Sequence, residues 1–320
     1  MQYLPGTKLL YDSVLEAIFL RNTVQQSMSK TRSQPKNDHA SKSYSARDSS
    51  ARPRGNKIYL WVIFLGITFG SMALMTYLRL PPSQAPLLTY KVLNTFPHDR
   101  TAFTQGLFIQ NGRMYESTGR FKQSSLRVVD VTTGKQEITK KLPDNYFAEG
   151  IATFGSKLYQ LTFQNYKIRI YDKDSLELLE EREFPFEGWG LTSDSDYLIL
   201  SDGSSTIRYL DPETLQVVSK INVRDGRQAI SEINELEYYD GRIYANVWRE
   251  DVILQIQPAT GRVTGKIDMS GLLDEKVADD GACLNGIAVN TDTNTFYVTG
   301  KLWPKMFEVK FVEKPPEKNE

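Results

Sequence analysis

Gln105-Gly106-Leu107-Phe108-Ile109-Gln110-Asn111-Gly112-Arg113-Met114-Tyr115-Glu116-Ser117 reads as an apolar strand, a two-residue turn and a second strand. Asn-Gly between two such runs is a strong hairpin signal, because both residues tolerate the positive φ of a tight turn. The opening triplet returns as Glu149-Gly150-Ile151, Trp189-Gly190-Leu191, Asn234-Glu235-Leu236 and Asn285-Gly286-Ile287, at spacings of 44, 40, 45 and 51 residues. A period of this length marks an array of repeated supersecondary units, and short strands within each unit point to the blades of a propeller.

The order of events inside each repeat is also constant. A Gly-, Asn- or Asp-rich turn follows each triplet and leads to a second strand, at 113–117, 157–162, 197–201, 242–247 and 295–299. Third strands are expected at 126–130, 168–172, 207–211 and 253–257, and fourth strands at 136–140, 178–184, 217–223 and 263–267. The fifth repeat runs out after 306–311, whereas residues 88–96 alternate like an outer strand and precede the first triplet. The two ends of the domain are therefore expected to share one sheet, which removes an open edge. The expected fold is all-β, a five-bladed β-propeller over residues 88–312 with a polar tail at 313–320.

The chain of 320 residues has zero formal net charge, but the charge is unevenly distributed. Residues 1–57 hold ten Lys and Arg against four Asp and Glu, and residues 80–320 hold 28 against 35. The mildly acidic repeat domain argues against a nucleic-acid surface. Leu9, Leu10, Val14, Leu15, Ile18 and Phe19 could share one helical face. Otherwise residues 1–57 read as a largely disordered basic tail, too poor in apolar side chains to offset the entropy of ordering.

Residues 58–78 contain no charge over 21 positions, enough to cross a hydrocarbon core of about 30 Å as a helix. Tyr59, Trp61 and Tyr77 suit the interfacial aromatic belt. Arg47, Arg52, Arg54 and Lys57 outweigh Arg79, so the expectation is an uncleaved signal-anchor with a cytosolic N-terminus. The propeller then lies on the extracytoplasmic side (periplasmic, extracellular or lumenal), behind a Pro-rich spacer at 79–87. Cys283 is the only cysteine, which excludes an intrachain disulfide, and no Asn-x-Ser/Thr sequon occurs.

The inventory for chemistry is restricted. His39, His98 and one cysteine argue against a His/Cys zinc site or a Cys-His dyad, and neither a Gly-x-Ser-x-Gly elbow nor a phosphate-binding glycine loop is present. What remains is polarity where a propeller's inner strands converge. Gln105, Glu149, Trp189, Asn234 and Asn285 are expected to form a ring at one mouth of the channel. Because second strands run back toward that mouth, Trp248 and Lys301 should join them. Such a ring also suits side chains that merely hydrogen-bond across a wet channel, or a structural cation there. A carboxylate beside Trp189, however, would have its pKa raised toward a useful acid/base range.

The same residues carry a family resemblance. Phe103-Thr104-Gln105-Gly106-Leu107, Tyr115-Glu116-Ser117-Thr118-Gly119, Glu149-Gly150-Ile151, Gly188-Trp189-Gly190-Leu191, Asn234-Glu235-Leu236-Glu237-Tyr238, Ala245-Asn246-Val247-Trp248, Leu284-Asn285-Gly286-Ile287-Ala288 and Thr299-Gly300-Lys301-Leu302-Trp303-Pro304 resemble the plant-type, papaya-like glutaminyl-peptide cyclotransferases. The resemblance covers roughly residues 88–312. It implies conversion of the N-terminal glutamine of peptides or proteins to pyroglutamate with release of ammonia, by metal-independent acid/base catalysis. It matches the family's site at Gln105, Glu149, Trp189, Asn234, Trp248 and Lys301. The tail and anchor are not part of the family pattern.

In this reaction the neutral α-amine attacks its own side chain's γ-carboxamide, and a positioned base helps because the amine has a pKa of about 8. Glu149 is the expected proton carrier, Lys301 and Asn234 the expected oxyanion stabilisers, and Gln105 and Asn285 the expected binding groups. Trp189 and Trp248 are expected to sandwich the folded side chain. A non-catalytic propeller that binds peptide N-termini would use the same ring.

Overall fold

The computed structural model describes residues 84–315. The expected basic tail, the apolar span 58–78, most of the spacer and the end of the polar tail lie outside the described residues. Within them the chain is all β-strand, and no helix is long and apolar enough to cross a membrane.

Three antiparallel sheets of four strands each follow chain order, from Thr104–Gln110 to Gln136–Lys141, from Phe147–Phe154 to Leu178–Glu183, and from Leu191–Ser193 to Val217–Asn222. An eight-stranded sheet holds the rest in two halves. One half runs from Ile233–Tyr239 to Val263–Asp268; the other joins Leu284–Asn290, Thr295–Gly300 and Lys305–Glu313 to the strand Leu87–Pro97. As expected, that first strand closes the array: it pairs antiparallel with Lys305–Glu313 from Leu88↔Glu313 to Pro97↔Lys305. Its Leu87 and Leu88 also pair in parallel with Lys266 and Ile267, which welds the two halves. A two-stranded hairpin, Arg224–Asp225 with Gln228–Ala229, turns at Gly226 with φ 63° and was not among the expected strands.

The first strands of these groups touch one another in a closed cycle: Thr104–Gln110 meets Phe147–Phe154, which meets Leu191–Ser193, then Ile233–Tyr239, then Leu284–Asn290, which returns to the first. The core follows the same cycle, because each major apolar cluster spans two consecutive groups. Leu126 and Val128 pack with Ile151 and Leu158, Leu161 and Ile170 with Leu191 and Leu198, and Ile207 with Leu236 and Ile243. Ile253 and Ile267 pack with Ile287 and Val298, and Ala288 and Tyr297 return to Leu107 and Met114. Alternation along the inner strands supplies an apolar face to either neighbour, whereas the outer strands Gln136–Lys141, Leu178–Glu183 and Val217–Asn222 are largely exposed.

The recurrent triplet proves to be a recurrent irregularity. Opposite Ser117, Leu161, Asn246 and Thr299 the inner-strand register shifts, so that extra inner-strand residues are accommodated at Gln105, Glu149-Gly150, Asn234-Glu235 and Asn285-Gly286. In the third repeat Trp189 N donates to Ser201 O and Ser201 N donates to Gly190 O, giving the same two-against-one arrangement. A β-bulge re-aims the side chain it carries. Here it recurs at the residue expected to line the mouth.

The glycine after that residue is required by close approach. A Cβ on Gly106 would stand 2.6 Å from Ile151 N, one on Gly150 2.5 Å from Leu191 N, and one on Gly190 2.0 Å from Asn234 O. Each neighbour is backbone and cannot swing away. Gly190→Ala is expected to lower the stability of unfolding by about 3 kcal/mol, read from the denaturant midpoint.

Candidate active site

The bulges deliver their side chains to a cavity of about 230 Å³ lined by Phe103, Gln105, Phe147, Glu149, Phe163, Trp189, Asn234, Trp248 and Lys301. Six of the seven residues expected at the mouth are therefore together. Asn285 is not among them: it is fully buried, and its Nδ2 donates to Thr104 O at 2.9 Å, fastening one inner strand to the next. Its amide nitrogen is aimed around the ring, and its Oδ1 is buried with no protein donor.

The polar groups form the floor, with Gln105, Glu149, Asn234 and Lys301 each no more than 4% exposed. Ser117 Oγ donates to the Glu149 main-chain carbonyl and Gly150 N donates to Trp189 O, so the backbone carrying Glu149 is held on both sides. Lys301 sits at the end of strand Thr295–Gly300, with its N–H on Cys283 O at 2.8 Å. The ammonium lies 5.0 Å from the centre of the Phe103 ring.

Among the described residues no hydrogen bond or ion pair reaches the Glu149 carboxylate. Burial pushes its pKa well above the usual carboxylate range; Lys301 pulls it back and Glu187 adds to the rise. Burial lowers the Lys301 pKa, against the opposing pull of Glu149 and Cys283. A buried acid and a buried base thus have their titrations moved toward each other, the pattern of groups tuned for proton transfer. Gln105 Oε1 and Asn234 Oδ1 are buried acceptors with no protein donor. Buried polar atoms rarely go unpaired; Asn246 Nδ2 and Asn285 Oδ1, on neighbouring strands, share that state.

Glu235 shows that a raised pKa alone would not identify the site. Burial also lifts its pKa well above the usual range, with Glu237 adding to the effect. Its carboxylate nevertheless accepts from Leu107 N at 3.3 Å and Ile287 N at 2.9 Å, tying together inner strands of two other repeats. It occupies the middle position of the fourth triplet, where the other four repeats have glycine. Glu237, raised to about 8 by burial, likewise accepts from Val289 N.

The tryptophans do not form two parallel walls. Trp189 and Trp248 meet edge to face, with ring centres 5.7 Å apart and planes at 79°, so a folded side chain would meet one face and one edge. Trp189 is fixed in that pose because Gly203 leaves room for the indole, where a Cβ would come within 2.6 Å of it, and Glu187 accepts from its Nε1. Trp248 carries Arg249 on its ring at 4.6 Å. Trp303, beside the Lys301 motif in sequence, packs into the core instead.

Phe103, Phe147 and Phe163 complete the walls and were not expected there. A signal existed: Phe103 stands two residues before Gln105 and Phe147 two before Glu149, near enough along alternating strands to frame one opening. Phe163 had one too: it ends the second strand of its repeat, the position that brought Trp248 and Lys301 to the mouth, and it pairs with Phe147 across the hairpin. Among the described residues no group of three or more His, Cys, Asp or Glu side chains is placed to hold a metal ion. Glu149 and Lys301 are the titratable groups lining the cavity.

The glutamine cyclotransferase family model matches residues 65–311. The chain is 40% identical over 227 residues to the glutaminyl-peptide cyclotransferase of Arabidopsis thaliana, covering 69% of this chain and 70% of that protein. It is 34% identical to the solved glutaminyl cyclase of Myxococcus xanthus, which superimposes with a TM-score of 0.69 over 72% of this chain and all of that one. The matched span holds every sheet that contributes a residue to the cavity, and the chain belongs to the glutamine cyclotransferase family.

Proposed function

We propose that the cavity folds the N-terminal glutamine of a peptide onto itself and closes it to pyroglutamate, with Glu149 moving the proton. The chain is a glutaminyl-peptide cyclotransferase. The observation that carries this reading is Glu149 itself: a buried carboxylate open to an aromatic cavity, free of hydrogen bonds from described residues, with one buried ammonium as its counter-charge.

In the proposed step the α-nitrogen attacks the side-chain carboxamide carbon to form the five-membered ring. Glu149 takes a proton from that nitrogen and returns it to the departing amide nitrogen, which leaves as ammonia. Lys301 holds the negative charge that develops on the carboxamide oxygen. Gln105 holds substrate amide groups, and the side-chain amide of Asn234 shares the developing oxyanion with Lys301. The aromatic walls exclude water and hold the coiled side chain in the attacking conformation.

The domain is proposed to be a five-bladed propeller, a reading supported by the closed cycle of first strands and by apolar clusters that link consecutive groups. Residues 58–78 are proposed as a single membrane anchor, with the N-terminus cytosolic and the propeller extracytoplasmic. Support for both comes from the apolar length and the flanking Arg and Lys in the sequence.

The test is ammonia release and pyroglutamate formation from Gln-Gly-amide by the full-length protein in detergent, with and without EDTA. Turnover unaffected by the chelator is expected. Saturable binding of the peptide without ammonia would mean that the ring serves recognition alone.

A further inference from the structure

We propose that Phe121, together with the outer edge of Phe147, forms an apolar subsite at the mouth for the side chain of the residue that follows the substrate's N-terminal glutamine. The proposal rests on the cyclase reading above. At about 230 Å³ the cavity falls short of the ~300–1,000 Å³ of pockets that enclose larger ligands, so it has room for the terminal residue and the chain beyond must leave through the mouth.

The aromatic wall continues beyond the cavity. Phe147 makes edge-to-face contacts with Phe103 at 6.1 Å and Phe163 at 5.8 Å inside, and with Phe121 at 5.6 Å outside. Phe121 is 48% exposed, and its neighbouring ring is a cavity wall.

Its turn is also held firmly. Arg120 and Lys122, on either side, adopt positive φ of 82° and 67°. Gln123 N and Ser124 Oγ both donate to Arg120 O, and Lys122 N donates to Asp144 O. Two strained residues around one exposed ring are held in place by these contacts. Arg120 itself is engaged elsewhere, 4.6 Å over the Phe103 ring and 2.7 Å from Asp279, which leaves the Phe121 ring bare. A bare aromatic face in continuity with the site takes an aromatic or large aliphatic side chain, by area burial and by edge-to-face contact.

The experiment compares kcat/KM for Gln-Phe-amide and Gln-Gly-amide in full-length wild type, Phe121→Ala and Phe121→Tyr. Wild type should favour Gln-Phe-amide by about tenfold, the scale of one apolar contact at a specificity pocket. Phe121→Ala should bring the ratio close to one, mainly through KM, and Phe121→Tyr should retain it. An unchanged ratio in Phe121→Ala overturns the subsite. So does an equal fall on both substrates, which would mean that the ring only supports Phe147. If wild type releases ammonia from neither peptide, the cyclase reading fails and the subsite with it; turnover with an unchanged ratio sinks the subsite alone.

Discussion

Glu149→Gln should lower kcat for an N-terminal glutamine peptide by about 10²–10⁴-fold, the range supplied by a positioned proton carrier. Glutamine keeps the volume and polarity of the side chain but can neither accept nor return the proton. The pH profile of the wild type carries a second signature. Burial, first, and Glu187 hold the Glu149 pKa well above the ordinary carboxylate range, with Lys301 opposing them. The carboxylate that accepts the proton therefore fills only as pH rises through this raised value. The acidic limb of kcat/KM should stand correspondingly high, in company with deprotonation of the substrate amine at about 8.

Stability should move the other way. A carboxyl whose folded pKa exceeds its unfolded one destabilises the fold increasingly as pH rises above the unfolded value. At pH 8 Glu149→Gln should therefore match or exceed the wild-type thermal midpoint. Near-normal turnover, or a loss of activity that tracks a loss of structure, would remove Glu149 as the proton carrier.

Most of the fold was legible in the chain because one physical constraint repeats along it. Inner strands that converge on an axis leave no room for a Cβ at Gly106, Gly150 and Gly190, so glycine recurs at the period of the sheets. The Asn111-Gly112 and Asp240-Gly241 turns, with φ positive at both residues, mark the hairpins. Closure through 88–96 was legible because the fifth repeat lacks a strand that the first has in excess.

The triplet also led to the site, since in four of the five repeats its first residue is the one a bulge turns toward the mouth. Two things were not visible. The bulge leaves no mark distinct from the glycine itself, so a ring drawn from spacing alone took in Asn285, whose amide instead ties two strands. The angle between Trp189 and Trp248 depends on Gly203 and Glu187, neither of which belongs to the repeat pattern. Phe163 was legible by the argument that placed Trp248 and Lys301, since it too ends a second strand that returns to the mouth.

Lys301→Met is expected to reduce kcat by about 10²–10³-fold, the effect of removing one preorganised group from a developing oxyanion. KM should change far less, because the charge it serves appears only in the transition state. The ammonium is buried and forms no ion pair among the described residues; it lies over the Phe103 ring. Its pKa is lowered by that burial, so in wild type its charge is lost below the normal lysine range and activity should fall on the alkaline side there. In the variant that limb should disappear.

The acidic limb should move as well, and its direction separates a charge partner from a simple wall residue. Lys301 is the influence that pulls the Glu149 pKa down. Without it the carboxyl should titrate higher still, and the surviving activity should rise with pH later than in wild type. A Lys301→Met variant that loses activity with both limbs unmoved would leave Lys301 as packing and would require another group to hold the oxyanion. If both limbs move as described, the double variant with Glu149→Gln should lose much less than the product of the single losses, since each group sets the charge state in which the other works.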